Sequence, residues 1–260
     1  MRRRTFFKSA ALASLAAATT VRADDKTVAR EFYELRTYTL KDETQRKLVD
    51  EYLDKAYIPA MNRLGANPVG VFADPSPNAP LYVLTAFPSL EGWIKAADGL
   101  MSDAEHAKAG AALLNADKAK PPYERIESSL LQAFEGWPKL IPPPQTKEKK
   151  PRIFQLRTYE SPSEGTGKKK IEMFHKGEMD AFKRAGCNPV FFSECLIGAK
   201  RPNLTYMLAF DDEPAQKKAW GTFVKDPDFR KMISMPEYSD KAIIRAINNA
   251  ILTPTAYSQL

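Results

Sequence analysis

Residues 33–38 read Tyr-Glu-Leu-Arg-Thr-Tyr, and residues 154–159 read Phe-Gln-Leu-Arg-Thr-Tyr, 121 positions further along the chain. The same offset separates Gly-Ala-Asn-Pro-Val at 65–69 from Gly-Cys-Asn-Pro-Val at 186–190. Leu-Thr-Ala-Phe at 84–87 returns as Met-Leu-Ala-Phe 123 positions later. Because both the order and the spacing of these segments persist, the sequence predicts an internal duplication.

Each copy shows the same pattern of elements. Alternation of side chains over residues 31–40 predicts a strand, and apolar rows at i, i+4 over 44–64 predict a helix that Pro59 kinks and Gly65 ends. The second copy predicts a strand at 153–160 and a helix at 167–185 in the same order. The remaining predicted strands are 69–72, 81–87, 124–134, 189–197, 204–210 and 243–253, and the remaining helices are 90–97, 103–114, 213–224 and 227–233.

This order, βαββαβ, predicts an α+β fold of two tandem ferredoxin-like halves, each an antiparallel sheet with its helices on one face. The halves span 31–135 and 152–260, and the Pro- and Lys-rich segment 136–151 links them. Each sheet has a face that its helices leave uncovered. Two copies in one chain can cover these faces mutually by packing sheet to sheet as a pseudo-dimeric barrel.

Residues 1–23 have the composition of an export signal: a basic start, a short Ala- and Leu-rich stretch and small residues before Ala23. Arg3-Arg4 predicts the twin-arginine route, and hence a periplasmic or other extracytoplasmic location. This segment holds five basic residues and no acid, so its removal lowers the formal net charge from +7 to about +2. The charge therefore argues against nucleic-acid binding, and no later segment is apolar enough to span a membrane.

Cys187 and Cys195 are the only cysteines of the 260 residues. If a strand connects them, their separation of about 23–26 Å exceeds the reach of a disulfide. The sequence predicts two buried thiols.

The motifs quoted above, with Asn-Leu-Thr-Tyr-Met-Leu-Ala-Phe at 203–210 and Trp220 followed by Asp-Pro-Asp-Phe at 226–229, resemble those of NIPSNAP-domain proteins in the dimeric α+β barrel superfamily. The resemblance covers nearly all of the chain after the signal, and in the first copy Met101-Ser102-Asp103 replaces the Asp-Pro element. It implies a closed or nearly closed barrel. Barrels of this kind occur in cofactor-free monooxygenases, haem-degrading oxygenases and haem-dependent dismutases, and the resemblance carries over no catalytic residue.

Strand alternation also suggests a ligand site. If Leu35 and Leu156 face the helices, the alternate side chains point into the barrel, where an arginine needs a carboxylate, carbonyls or a bound anion. One hypothesis is a barrel-interior ligand site; the alternative is that the arginines tie neighbouring strands together or pair with Glu34. The candidate ligand-binding residues are Glu34, Arg36, Tyr38, Gln155, Arg157 and Tyr159.

His106 and His175 are the only histidines, and neither belongs to a zinc-type cluster, so no metal site is predicted. His175 lies on an apolar helical stripe with Ile171 and Met179, which favours a packed helix residue. It is the single candidate haem ligand, and no cofactor is otherwise evident.

The sequence thus predicts an exported NIPSNAP-domain protein that binds a small molecule or a protein partner through its barrel. The alternative is a cofactor-free or haem-linked small monooxygenase acting on an aromatic or conjugated substrate. In that case Arg36, Arg157, Tyr38 or Tyr159 would stabilise an enolate-like anion. A third hypothesis is a haem-handling protein that uses His175. Whether the protein is an enzyme stays open, as does its oligomeric state.

Overall fold

The computed structural model describes residues 28–76 and 79–260, and it confirms the α+β architecture of two ferredoxin-like halves. The strands are β1 (Phe32–Thr39), β2 (Val69–Ala73), β3 (Leu81–Phe87), β4 (Arg125–Ala133), β5 (Ile153–Glu160), β6 (Asn188–Ile197), β7 (Asn203–Phe210) and β8 (Ala246–Pro254). The helices are α1 (Glu43–Tyr52), α2 (Ile58–Arg63), α3 (Leu90–Ser102), α4 (Ala104–Ala109), α5 (Ala111–Leu114), α6 (Pro144–Glu148), α7 (Glu164–Met173), α8 (Met179–Arg184), α9 (Glu213–Phe223), α10 (Pro227–Ile233) and α11 (Asp240–Ile243). The last strand begins three residues later than predicted because α11 precedes it.

Local sequence explains where the main helices begin. Asp42, Ser89 and Asp212 each have extended backbone and accept hydrogen bonds from amides of the following first turn. Ser163 forms a reciprocal capping box with Thr166 at the start of α7. These caps satisfy backbone donors that the helices leave free, so the helix positions follow directly from short-range sequence.

The long helix of each half contains a five-residue π-helical segment, Leu53–Tyr57 in the first half and Phe174–Glu178 in the second. The two segments are 121 positions apart, like the rest of the repeat. Pro59 lies at the start of α2, just after the first segment, as the predicted kink implies, but the second segment forms without a proline. The irregularity therefore belongs to the duplicated fold, and proline alone does not cause it.

The eight strands close into one barrel in the order β1-β3-β2-β8-β5-β7-β6-β4, with every neighbouring pair antiparallel. A half-turn about the barrel axis exchanges β1 with β5, β3 with β7, β2 with β6 and β4 with β8. Equivalent residues of the two copies therefore lie at the same end of the barrel. The uncovered faces of the two sheets meet, as the sequence predicts.

The direction assigned to the alternate side chains of β1 and β5 is wrong. Tyr33, Phe154 and Leu156 belong to the cluster inside the barrel, which draws on all eight strands, and Leu35 packs against it. Tyr38 packs instead with α1. The residues that face the helices rather than the barrel interior are Glu34, Arg36, Tyr38, Gln155, Arg157 and Tyr159. Both faces of each sheet are covered, so polarity alone does not tell which face lines the barrel.

The segment that connects the halves is packed against both of them. The amide of Leu140 donates to Glu31 Oε2 (2.7 Å) and the amide of Ile141 to the carbonyl of Val190 (2.9 Å). Gln145 Nε2 donates to Asp211 Oδ1 at 2.6 Å. The Pro-rich sequence thus serves as a docked connection.

Cys187 and Cys195 are both buried free thiols, which confirms the prediction. Burial raises the pKa of the Cys187 thiol to about 12, so it is protonated at neutral pH. No helix within residues 28–76 and 79–260 has the length and apolar character needed to cross a bilayer. The predicted export signal lies outside the described residues.

Candidate functional site

Arg36, the first predicted site residue, carries its own carboxylate. Its Nε and Nη2 donate to the two carboxylate oxygens of Glu34 at 2.7 and 3.0 Å, and its guanidinium lies 5.0 Å from the ring centre of Tyr57. The Tyr57 hydroxyl lies 3.2 Å from Thr85 Oγ1. For Arg36, the sequence alternative of pairing with Glu34 is therefore the observed arrangement.

Arg157, the equivalent residue of the second half, has different surroundings. Its guanidinium lies 4.6 Å from the ring centre of Trp220 and 5.3 Å from that of Tyr159. Nη1 makes a long hydrogen bond to Asn249 Oδ1 (3.4 Å). The hydroxyls of Tyr159 and Tyr206 lie 2.9 Å apart, behind this cluster. Aromatic rings thus replace the carboxylate that Arg36 contacts.

A buried ion pair lies next to this cluster. Lys170 Nζ donates to Glu178 Oε2 at 2.9 Å, with both side chains at most 2% exposed. The ammonium also lies 5.3 Å from the Tyr159 ring centre and 5.2 Å from that of Phe174. Burial raises the pKa of Glu178, an effect that the charge of Lys170 opposes. The pair holds α7 to the π-helical segment.

A cavity lies inside the barrel, at the end where β1 and β5 finish. Its volume is about 360 Å³. Most of its lining forms pairs of equivalent residues from the two copies, so the cavity lies on the pseudo-twofold axis. The pairs are Leu35 and Leu156, Thr37 and Thr158, Tyr82 and Thr205, Glu127 and Asn248, Ser128 and Asn249, and Ser129 and Ala250. Ala199, Lys200 and Asn203 complete the lining.

Apolar packing closes one end of the barrel, and polar groups line the other. The rings of Phe72 and Phe154 contact each other at 4.8 Å across the closed end, where Leu260 is also buried. Beyond Leu35 and Leu156 the inward positions become threonines. The barrel is thus a packed core at one end and a polar cup at the other.

Hydrogen bonds hold the polar side chains of the cup. The hydroxyls of Thr158 and Thr205 lie 2.9 Å apart, and Asn203 Nδ2 donates to the carbonyls of Ala199 and Lys200, each at 3.1 Å. Lys200 Nζ donates to Asn248 Oδ1 at 2.9 Å across the rim. The cup is therefore preorganised, with hydroxyl, amide and ammonium groups converging on a small volume.

The strand pairing of β8 is short on its β2 side. Within the described part of the chain, β8 pairs with β2 through two residue pairs, Phe72 with Pro254 and Ala73 with Thr253. It pairs with β5 along seven residues. Asn249 lies on the outer face of β8, opposite Arg157, and it also lines the cup. The cup and the surroundings of Arg157 therefore meet at this residue.

The cup has three titratable side chains in its described lining, those of Tyr82, Glu127 and Lys200. Its lining residues within the described chain include no histidine or cysteine, and burial raises the pKa of Tyr82, which keeps its hydroxyl a neutral donor. Glu127 is an exposed carboxylate at the rim.

Both histidines lie elsewhere. His106 is buried and its Nε2 lies 3.0 Å from the Tyr52 hydroxyl. His175 is exposed beside the linker, where Nδ1 donates to the Ile171 carbonyl (2.9 Å) and Nε2 accepts from the Gly136 amide (3.3 Å). Both ring nitrogens of His175 are thus engaged by the protein. No group of three His, Cys, Asp or Glu suited to a metal ion occurs among residues 28–76 and 79–260.

The residues of the cup were not predicted from the sequence, although the repeated motif contains a signal for them. Thr37 and Thr158 belong to the repeated Leu-Arg-Thr-Tyr motif, two positions after Leu35 and Leu156 and so on the same face. A threonine at this place in both copies marks where the inward face changes from apolar to polar. The arginine and tyrosine of the motif face the helices, whereas its threonine is the residue that faces the cup.

Residues 154–259 match the family model described as NIPSNAP. The chain is similar in structure to a provisionally assigned monooxygenase from Lactobacillus acidophilus, with 11% identity over 86% of this chain and 94% of the other and a TM-score of 0.56. A provisionally assigned monooxygenase from Fusobacterium nucleatum gives 8% identity over 87% and 93%, with a TM-score of 0.54. A NIPSNAP family protein from Agrobacterium tumefaciens covers 42% of this chain and 91% of its own length at 18% identity, with a TM-score of 0.38. No protein of curated function matches the sequence. At these identities the first two likenesses establish the barrel fold alone.

Proposed function

We propose that the second half of this chain, residues 154–259, is a NIPSNAP domain and that the protein binds a small polar molecule in the cup at the open end of its barrel. The observation that carries this proposal is the change of the inward face from apolar to polar at Thr37 and Thr158, in both copies. A barrel that served only as a scaffold could fill this end with apolar side chains, as the opposite end is filled.

Size and chemistry support the same proposal. Ligand pockets commonly measure roughly 300–1,000 Å³ and combine an apolar base with a few placed polar groups. The cup, at about 360 Å³, lies at the lower limit of that range. Leu35 and Leu156 form its apolar base. A molecule of roughly ten to fifteen heavy atoms with hydroxyl, carbonyl or carboxylate groups would suit it.

The monooxygenase alternative rests on the fold of the two barrel neighbours, and fold does not determine chemistry. Tyr82 is the single aromatic side chain that lines the cup within the described chain, whereas a conjugated substrate would favour more stacking surface. Binding without a reaction is therefore the proposal. Export and a protein partner stay predictions of the sequence.

A titration with polar fragments tests the proposal. ¹H–¹⁵N correlation spectra of the protein would be recorded against a set of polyols, amides and carboxylates of about ten heavy atoms. Saturable shifts are expected at the amides of Thr158, Asn203 and Ala250. Thr158→Val, which removes one hydroxyl with little change in volume, should weaken binding by up to about tenfold.

Ala250→Leu fills the cup from β8, and it should abolish the same shifts. Ile247→Leu is the matched control, since Ile247 lies on the same strand and is exposed. The proposal fails if no fragment binds, or if binding survives Ala250→Leu in a variant whose spectrum shows it to be folded.

A further inference from the structure

Arg36 in the first half shows how this fold holds a carboxylate. Glu34, two residues earlier on β1, presents both oxygens to Nε and Nη2 in a fork at 2.7 and 3.0 Å. Bidentate pairing of this kind is the geometry that arginine offers best. In the first repeat, the Glu34 carboxylate thus shows how the arginine of the strand, Arg36, binds an anion.

Gln155 occupies the place of Glu34 in the second half, and its amide is engaged elsewhere. Its Oε1 accepts from Trp220 Nε1 (2.6 Å) and Gln216 Nε2 (3.1 Å). Its Nε2 donates to Asn249 Oδ1 at 2.6 Å. Gln155 therefore cannot replace the missing carboxylate, being neutral and already saturated with partners.

Arg157 is consequently a cation without a carboxylate. No acidic side chain among the described residues lies within 4.0 Å of its guanidinium nitrogens. Its Nε is buried and makes no hydrogen bond there. The guanidinium is partly buried, and the rings of Trp220 and Tyr159 offset only part of the cost of removing it from water.

We propose that Arg157 binds the carboxylate of the molecule that occupies the barrel cup. This inference rests on the proposed function and adds the ligand class, a small monocarboxylate. Asn249 makes the connection, since it lines the cup and also accepts a hydrogen bond from Arg157 Nη1. The acid group would lie beside Asn249 on the outer face of β8, within reach of Arg157, and the remainder would enter the cup.

Benzoate and benzamide are the probes, because they share size and shape and differ in charge. The Nε–H resonance of Arg157, assigned with an Arg157→Lys variant, would report contact with the anion. Benzoate is expected to shift this resonance saturably and to bind at least about tenfold more tightly than benzamide. Amide shifts in the cup should accompany the arginine shift.

Gln155→Glu provides the sharpest test, since it gives the second half the internal carboxylate that the first half has. It should reduce benzoate affinity at least about tenfold while the protein stays folded. Glu34→Gln, the reverse change at the equivalent position, is the matched control and should leave benzoate binding at Arg157 unchanged.

Equal binding of benzoate and benzamide, or unchanged benzoate affinity in Gln155→Glu, would overturn the assignment of Arg157. In either case neutral polar fragments could still bind in the cup, and the proposed function would stand without this inference. If no fragment of any charge binds in the cup, both the proposed function and the assignment of Arg157 are wrong. The two failures are therefore distinguishable.

Discussion

The two halves of the barrel share a backbone plan but neutralise their central arginines differently. In the first half Glu34 pairs with Arg36 within β1. In the second half the equivalent glutamine bonds to Trp220, Gln216 and Asn249, and Arg157 is left among aromatic rings. One change of residue type in a duplicated motif thus separates an arginine paired with a carboxylate from one that has no carboxylate partner among the described residues.

A second difference lies one layer outward, between the sheet and the helices. Val49 and Tyr57 of the first half correspond to Lys170 and Glu178 of the second. The first pair packs in an apolar cluster, while the second forms a buried ion pair under Tyr159. The same fold therefore accepts either an apolar contact or a pair of charges at this place, provided that the charges occur together.

The largest effect is expected for Lys170→Val. The substitution leaves the buried carboxylate of Glu178 without its cation and should lower the free energy of unfolding by about 3–5 kcal/mol. Burial raises the pKa of Glu178, so its carboxyl group becomes protonated and uncharged as the pH falls. The loss of stability should therefore shrink at low pH. Urea denaturation between pH 4 and pH 8 measures both the loss and its pH dependence.

The double variant Lys170→Val/Glu178→Tyr copies the first half and is the control for this prediction. It should recover most of the lost stability, since no charge is then buried. Equal destabilisation in the single and double variants would show that packing, and not charge, sets the difference between the halves.

A smaller effect is expected for Glu34→Gln, which gives the first half the residue of the second. Arg36 would lose a charge-assisted fork, and its side chain is 23% exposed, so solvent compensates in part. The expected loss is about 1–2 kcal/mol in thermal or urea unfolding. A change within experimental error would mean that the Tyr57 ring and water satisfy Arg36 without the carboxylate.

Gln155→Glu should alter stability by less than about 1 kcal/mol. The new carboxylate gains Arg157 as a partner, but the amide that donates to Asn249 is lost. Differential scanning calorimetry of this variant beside Glu34→Gln compares the same exchange in opposite directions. A large destabilisation would indicate that the Gln155 amide network, rather than Arg157, dominates this site.

The smallest effect concerns His106, a buried histidine that only the first half has. Desolvation lowers its pKa from the usual 6.5, so the unfolded chain binds a proton more readily than the folded protein. Its contribution to stability should therefore be complete above pH 6.5 and decrease as the pH falls below that value. His106→Gln should flatten this part of the stability profile, and an identical profile in the variant would contradict the prediction.

The fold followed from the sequence with few errors because its signals are local or repeated. The apolar rows of 44–64 predicted a helix, and the matched spacing of the copies predicted two sheets that meet. The π-helical segments were not predicted, because each spans only five residues, too few to distinguish from the i, i+4 rows of the surrounding α-helix. Of the residues that the sequence proposed for the site, Arg36 and Glu34 satisfy each other, whereas Arg157 and Gln155 contact Asn249, which lines the cup.

The sequence by itself determined that the chain is duplicated, that each copy is a βαββαβ unit, and which residues of β1 and β5 share a face. Only the tertiary structure decided which face lines the barrel. Alternation separates a strand into two sets of side chains, but helices cover one set and the opposite sheet covers the other, so both are buried. The choice depends on packing between residues far apart in the chain, and it places Thr37 and Thr158 in the cup and Arg157 on the opposite face of β5, next to Asn249.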